Sequence, residues 1–416
     1  MRSLTPSLPV PKGFTFLAPL AILLALSFAS LASIGHARLW EAFTYPSYGG
    51  LMLLLTMAGG FSLWLSNRWS RHPHTNALLS LLLATILPFI LLAALFYVAG
   101  WGYSRAFYSY FFVFLGSLNF LYHLRLMRRP MRICAASLEV EKILSKLGDR
   151  KVLVVPMNEA NNCEVVVANL RDEHGLLPPQ MLSQLSARGI EVVDVITFLE
   201  RLTGKVDLNH LSDEADKLLR PKDYIGLKRV WETAVVIFTA PIWLLLGSIV
   251  AIAIRLDSRG PIFYRQNRVG LFGEEFQMYK FRSMYVQSEL EKPKFAAEND
   301  PRVTRVGRFI RKYRLDEIPQ LWNVVKGDMS LIGPRPEQVQ FVREYSQTIP
   351  LYETRHFVRP GITGWAQVVH GYTDDTDGAM EKLSYDLYYV KNFSLWLDLL
   401  VIIKTLAVIL RGFGSR

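Results

Sequence analysis

Long apolar stretches fill the first third of the chain, at about 14–35, 42–67, 75–104 and 106–122. Each is uncharged or nearly so and reaches the ~20 residues a helix needs to cross the hydrocarbon of a bilayer. The pattern predicts four transmembrane helices within residues 1–130. The weakly charged start and the lack of a convincing cleavage site argue against reading the first stretch as a signal peptide. Arg68 and Arg71 follow the second stretch, and Arg125, Arg128, Arg129 and Arg132 follow the fourth, while only Arg38 and Arg105 lie in the intervening loops. This bias places both the N-terminus and everything after the fourth span on the cytoplasmic side. No span carries a charge near its middle, which speaks against a transport pathway.

The pattern then changes. Over 131–220 short β-branched runs at 152–155, 165–167 and 190–195 alternate with helical patterns around 182–188 and 198–202, predicting a small cytoplasmic α/β domain. It has no Gly-x-Gly-x-x-Gly loop to support a dinucleotide site. Residues 220–226 read as a linker. A further apolar run at 234–254 is long enough to span, but Lys228 and Arg229 precede it and Arg255, Arg259, Arg265 and Arg268 follow it, so both ends favour the same side. Pro241, near its middle, removes a backbone hydrogen bond and breaks the helix. A broken helix that enters the membrane and returns, at about 231–255, satisfies both constraints; a fifth spanning helix would put everything after it outside the cell. The last apolar run, 393–410, contains Asp398 and Lys404, which makes crossing costly and predicts an amphipathic helix on the cytoplasmic leaflet.

Composition agrees with a membrane protein. Of 416 residues, 51% are hydrophobic and the net charge is +11, with a mean hydropathy of +0.20. The basic excess suits anionic lipid or phosphorylated substrates. No nucleic-acid-binding signature accompanies it, so nucleic acid is not an expected partner. Cys134 and Cys163 are the only cysteines, too few for a disulfide framework or a metal cluster.

The chemistry concentrates in Arg314-Leu315-Asp316-Glu317-Ile318-Pro319-Gln320-Leu321-Trp322-Asn323 and the nearby Gly333-Pro334-Arg335-Pro336. Two adjacent carboxylates cost Coulomb energy unless cations relieve them, and Arg311, Arg314 and Arg335 are at hand. Arginine is also well suited to holding phosphate, and a carboxylate beside such arginines can act as a nucleophile in phosphoryl transfer. Together with Gly260-Pro261-Ile262-Phe263-Tyr264-Arg265-Gln266, Lys280-Phe281-Arg282-Ser283-Met284 and Arg359-Pro360-Gly361-Ile362-Thr363-Gly364-Trp365-Ala366-Gln367-Val368, these blocks resemble the bacterial sugar transferases, the monotopic polyprenol-phosphate phosphoglycosyl transferases. The resemblance covers about 228–413.

The resemblance implies a large-form member: four membrane helices (1–130), a cytoplasmic nucleotide-binding-like accessory domain of structural or regulatory role (131–220), and a mainly α catalytic domain (221–416) with a re-entrant helix. The family usually breaks that helix at Ser-Pro. Here Ala240-Pro241 stands instead, so Thr239 or a neighbour has to satisfy the freed backbone. By the same resemblance Asp316 attacks the phosphorus of a UDP-sugar, releasing UMP. A polyprenol (undecaprenyl) phosphate then takes the phosphosugar, as the first membrane step of a surface polysaccharide. Glu317 carries over as a helper carboxylate, Asp316 and Glu317 as ligands of Mg²⁺, and Lys280, Arg282, Arg311 and Arg335 as phosphate- or substrate-binding residues. Trp365 is available for stacking or interfacial anchoring, and Asp386 falls near the site. The bacterial inner membrane, with the catalytic domain on its cytoplasmic face, is the expected location, membrane lipid an expected partner, and a homodimer the expected assembly. A non-catalytic scaffold and a flippase component are the rival readings.

Overall fold

The computed structural model describes residues 56–64, 90, 110–117, 120–121, 131–145, 152–157, 163–171, 177–208, 224–285, 300–370 and 376–411. Residues 56–64 and 110–117 are helical. The rest of the four expected N-terminal spans lies outside the described residues. The chain divides into two compact units, 7–203 and, with residues 1–6, 204–416.

In the first unit four strands form a parallel sheet in the order β2-β1-β3-β4. They are β1 (Met131–Ala135), β2 (Val152–Val155), β3 (Val165–Ala168) and β4 (Glu191–Asp194), with helices α1 (Leu138–Ser145), α2 (Pro179–Ala187) and α3 (Val195–Thr203). Alternation along β1 and β3 explains why both faces are covered. Ile133, Val165 and Val167 pack with Val140 and Phe198 of α1 and α3. Cys134, Val166 and Ala168 face Leu185 of α2 instead. The three β-branched runs and both helical patterns of the sequence are therefore elements of this sheet and its cover. Cys134 and Cys163 are joined as a disulfide, a single staple rather than a framework.

The second unit mixes helix and sheet. Its first two helices are α4 (Tyr224–Phe238) and α5 (Ala240–Asp257), separated only at Thr239. The break falls where Pro241 predicts it, and Pro241 becomes a first-turn residue of α5, where its missing N–H costs little. The Thr239 hydroxyl donates to the Val235 and Val236 carbonyls, and the Trp243 indole N–H donates to Val236 at 2.9 Å. Thr239 and Trp243 thus supply the compensation that Ala240 cannot. Both helices dock on the same body, α4 through Val236 against Met278, Val324 and Met329, and α5 through Val250 and Ile254 against Phe281 and Ile310. The remaining surface of α5 is open and apolar, with Ile242, Leu245, Ile249 and Ile252 all more than half exposed. Among the described residues it is the one helix long and apolar enough to cross a membrane.

An antiparallel hairpin follows, β5 (Phe263–Val269) with β6 (Glu275–Phe281), then α6 (Arg305–Lys312), a 3₁₀ turn (Leu315–Glu317) and α7 (Gln320–Lys326). Two three-residue strands, β7 (Ser330–Ile332) and β8 (Gly361–Thr363), pair in parallel. Helix α8 (Val339–Thr348) lies between them in sequence, and α9 (Trp365–Val369), α10 (Thr376–Lys391) and α11 (Leu395–Arg411) close the unit. The main core gathers Leu383, Leu387, Tyr388 and Val390 of α10 with Leu397, Leu400 and Val401 of α11, around Trp365 and Ile332.

Two expectations change here. Asp398 does not form part of a solvated face of α11: it is fully buried. Its carboxylate accepts from Tyr389 at 2.6 Å, from Lys228 at 2.5 Å and from Tyr224 at 2.9 Å, while Lys228 also pairs with Glu232 at 2.9 Å. The charge that disfavoured a membrane crossing is used inside the protein, and the first half of α11 is a core helix. Trp365 is likewise no interfacial anchor. It is fully buried, donates to the Gly204 carbonyl and stacks on Tyr388.

Candidate active site

Thr304 caps α6, its hydroxyl accepting from Gly307 N–H at 2.8 Å. Two residues beyond α6, Arg314 adopts a left-handed backbone (φ 54°) that no β-carbon favours. The reversal starts the 3₁₀ turn carrying Asp316 and Glu317, which Glu317 N–H closes onto the Arg314 carbonyl.

The two neighbouring carboxylates have opposite surroundings. Glu317 is buried. Arg335 donates to its Oε1 at 2.8 Å, Lys280 Nζ lies 3.7 Å from the same oxygen, and Arg314 lies 3.7 Å from Oε2. Burial alone would raise the Glu317 carboxyl, but Arg335, Lys280 and Arg314 outweigh it and hold it at about 2. Asp316 has no hydrogen bond or close ion pair among the described residues. Burial first, and the charge of Glu317 second, push its carboxyl above the ordinary range, against the pull of Lys280, Arg335 and Arg311. Lys280 itself, pressed by burial and by Arg335, falls to about 8 although Glu317 and Asp316 favour its charge. The site thus holds one carboxylate that is fully engaged and one that is free and more basic than usual.

Arg335 reaches Glu317 because its loop is fixed from several directions. The preceding β7 is bonded at Ile332 N–H by buried Glu232, at 3.2 Å. Gly333 N–H donates to Thr363, and Gly361 N–H donates to Pro334. Arg355 donates to the Arg335 carbonyl at 3.0 Å, and Arg268 to the Pro336 carbonyl at 3.0 Å. A β-carbon on Gly361 would sit 2.0 Å from the Gly333 nitrogen, so the crossing of β8 over this loop needs glycine. The Gly361-Ile362-Thr363-Gly364 block therefore shapes the loop that carries Arg335.

Of the residues singled out in sequence, Asp316, Glu317, Lys280 and Arg335 come together, and Arg311 adds a cation acting on Asp316. Arg282 is placed differently. It is fully buried and donates to the backbone carbonyl and hydroxyl of Ser258, at 2.7 and 2.8 Å, just past the end of α5. Asp386 is buried and pairs with Arg355 at 2.7 Å, so it acts through Arg355 on the Arg335 loop. The sequence reading missed Arg355, Arg268 and Glu232, which lie in no block with a chemical signature. Among the described residues no group of three or more His, Cys, Asp or Glu side chains could hold a metal ion. Asp316 remains available to share an ion with substrate phosphates, the usual way Mg²⁺ is bound. The oxygens of Glu317 already face three cations, so Glu317 fits better as their counter-charge than as a ligand.

The profile of the bacterial sugar transferase family matches residues 223–412, a span holding every one of these side chains. An Aeromonas hydrophila UDP-N-acetylgalactosamine-undecaprenyl-phosphate N-acetylgalactosaminephosphotransferase is 47% identical over 255 residues, 61% of this chain and 60% of that protein. An Escherichia coli UDP-glucose:undecaprenyl-phosphate glucose-1-phosphate transferase is 41% identical over 46% of this chain and 42% of its own length. A Caulobacter vibrioides protein of the same description is 40% identical over 44% of this chain and 69% of its own length. The chain thus spans 60% or less of the first two relatives and more than two thirds of the third. With the free Asp316 and the cation-bound Glu317 inside the shared region, the chain belongs to the bacterial sugar transferase family.

Proposed function

We propose that the chain is an enzyme that transfers a sugar 1-phosphate from a UDP-sugar to a polyprenol phosphate by way of an ester on Asp316. An oxygen of Asp316 attacks the phosphorus that bears the sugar. The P–O bond to the UMP phosphate breaks, and UMP leaves with the electron pair. A phosphate oxygen of the polyprenol phosphate then attacks the same phosphorus, and the P–O bond to Asp316 breaks, restoring the carboxylate and leaving a polyprenol diphosphosugar. Donor and acceptor are both anions, and dividing the transfer into two displacements keeps them from having to meet directly.

One observation carries this reading: Asp316 is unpaired while its neighbour neutralises three cations. Arg335 and Lys280 can turn toward the diphosphate without becoming uncompensated, because Glu317 stays beneath them. Arg311, with no close partner among the described residues, is placed to meet the phosphoryl oxygens. Mg²⁺, held by Asp316 and donor oxygens, would neutralise charge on the diphosphate. Buried Arg282, fixed on Ser258, would support the end of α5 rather than touch phosphate.

The re-entrant arrangement fits α4 and α5 docking on one body on either side of the break, with the apolar face of α5 in the inner membrane and the carboxylates on the cytoplasmic side. The relatives are named for N-acetylgalactosamine, glucose and galactose, so the reading extends to a UDP-hexose and not to one sugar. The product would start a surface polysaccharide. The test is Asp316→Asn in purified membranes supplied with UDP-sugars. The parent should release UMP and form a trappable phosphosugar adduct, and the variant should do neither. Full activity in the variant removes Asp316 from the mechanism, and no UMP release from the parent turns the reading toward a scaffold or flippase component.

A further inference from the structure

Pro334 and Pro336 flank Arg335 and have no N–H to donate, so this stretch is anchored through its carbonyls. Four consecutive ones accept. Gly361 N–H donates to Pro334 at 2.9 Å, Arg355 to Arg335 at 3.0 Å, Arg268 to Pro336 at 3.0 Å and Val269 N–H to Glu337 at 3.1 Å. Two of these donors are guanidinium groups, one from β5 and one from the 3₁₀ turn Tyr352–Phe357. Both are largely buried, so each brings a charge that the interior has to balance.

The balance comes from the same segment. The Glu337 carboxylate lies 3.7 Å from Arg355 and 4.0 Å from Arg268, and it accepts from Lys382. Lys382 and Asp386 stand one turn apart on α10, so this helix gives its cation to Glu337 and its carboxylate to Arg355, at 2.7 Å. Burial would raise the Glu337 carboxyl, but Lys382, Arg355 and Arg268 outweigh it and hold it at about 2. Glu337 is therefore charged at neutral pH. Arg335 is thus held at both ends: its guanidinium meets Glu317, and its main chain is gripped by a cation that Glu337 helps to balance. Arg268 also ties this segment to the hairpin whose second strand carries Lys280.

We propose that Glu337 is a positioning residue for the transfer. By drawing Arg268, Arg355 and Lys382 together it holds the Arg335 and Pro336 carbonyls. It so sets the point from which the Arg335 guanidinium swings between Glu317 and the donor phosphates. The assignment rests on the transfer reading above and adds what aims its phosphate-binding arginine. Without the carboxylate, Arg268, Arg355 and Lys382 would repel one another, and the two arginines would draw away from the carbonyls they hold.

The full chain in nanodiscs, with polyprenol phosphate supplied, tests this through UMP release. Glu337→Gln keeps the shape of the side chain and removes the charge. It should lower kcat/KM for the UDP-sugar about tenfold, the effect of one misplaced charge-assisted hydrogen bond. Glu337→Asp, which keeps the charge, should recover most of that loss. In an Arg335→Lys background, Glu337→Gln should cost less than about twofold, because the residue it aims is already impaired. Leu400→Ala, in the core of α11, controls for stability alone: it should lower Tm and leave kcat/KM per folded protein unchanged. A tenfold loss from Glu337→Gln in both backgrounds overturns the assignment, and so does a variant whose kcat/KM per folded protein equals the parent's. Melting decides the same point without turnover. Glu317→Gln should lower Tm by about 2–4 °C less in the Glu337→Gln background than in the parent, since the Arg335–Glu317 hydrogen bond is already loosened there. Equal shifts in the two backgrounds overturn the assignment. A parent that releases no UMP refutes the transfer reading instead, and the melting comparison still decides Glu337.

Discussion

Replacing Glu317 by Gln keeps the shape of the side chain and removes the charge that Arg335, Lys280 and Arg314 share. The carboxyl lies at about 2 in the folded protein against 4.5 for the free group. At 1.36 kcal/mol per unit, that difference amounts to about 3 kcal/mol of stability at neutral pH. Breaking one side of a buried ion pair typically costs 3–5 kcal/mol. The lower end applies here, because the substitution also relieves the repulsion between Glu317 and Asp316. For a unit of this size about 3 kcal/mol corresponds to a fall in apparent Tm of roughly 6–12 °C. The pH dependence identifies the cause. A carboxylate with a depressed folded value contributes fully above its unfolded value and loses that contribution as pH falls through the folded one. The gap between parent and variant should therefore be complete at pH 7, begin to close below about pH 4.5, and shrink to less than half by pH 3. Thermal melts of the detergent-purified protein at one scan rate, followed by tryptophan emission, measure this. Equal Tm values at pH 7, or a gap that stays constant down to pH 3, would refute the assignment of Glu317 as counter-charge.

Two further outcomes follow from the same geometry. Because Lys280 lies at about 8, its ammonium is charged below that pH and lost above it. The KM for the UDP-sugar should rise as pH passes 8, and Lys280→Arg should flatten that rise; an unchanged profile in the variant would separate Lys280 from donor binding. Lys228→Met leaves Glu232 and Asp398 buried without a cation and should destabilise the protein by about 3–5 kcal/mol, read as a large fall in apparent Tm, whereas a melt like the parent's would show that the cluster does not need the lysine.

The paired carboxylates of the candidate site and most of their cations were legible in the chain because residue type and near neighbours mark them locally. Asp316-Glu317 and the proline-flanked Arg335 declare themselves by residue type and neighbours, and Pro241 declares the helix break. What stayed hidden is long-range pairing. Asp398 looked like a charge on an amphipathic helix because Lys228, its partner, lies 170 residues earlier. Arg355 has no motif at all, and only the folded chain brings its guanidinium to the Arg335 carbonyl. Arg282 was misplaced for the opposite reason: it stands two residues from Lys280, but β6 ends at Phe281, and beyond the strand the Arg282 guanidinium turns to Ser258. Of the two roles open to Trp365, stacking and interfacial anchoring, the fold uses the first: it stacks on Tyr388 inside the core.

The Arg335 segment is pinned by side chains from α4, β5 and the stretch before β8, and by the backbone of β8 itself. Tied at that many remote points, it works as a fixed jaw. On the proposed transfer, a bulkier or differently substituted hexose could not be welcomed by reshaping it, so discrimination between donors would be exercised by whatever touches the ring beyond the phosphorus. Selectivity for the sugar and command of the phosphate would then be separately adjustable parts of the proposed enzyme.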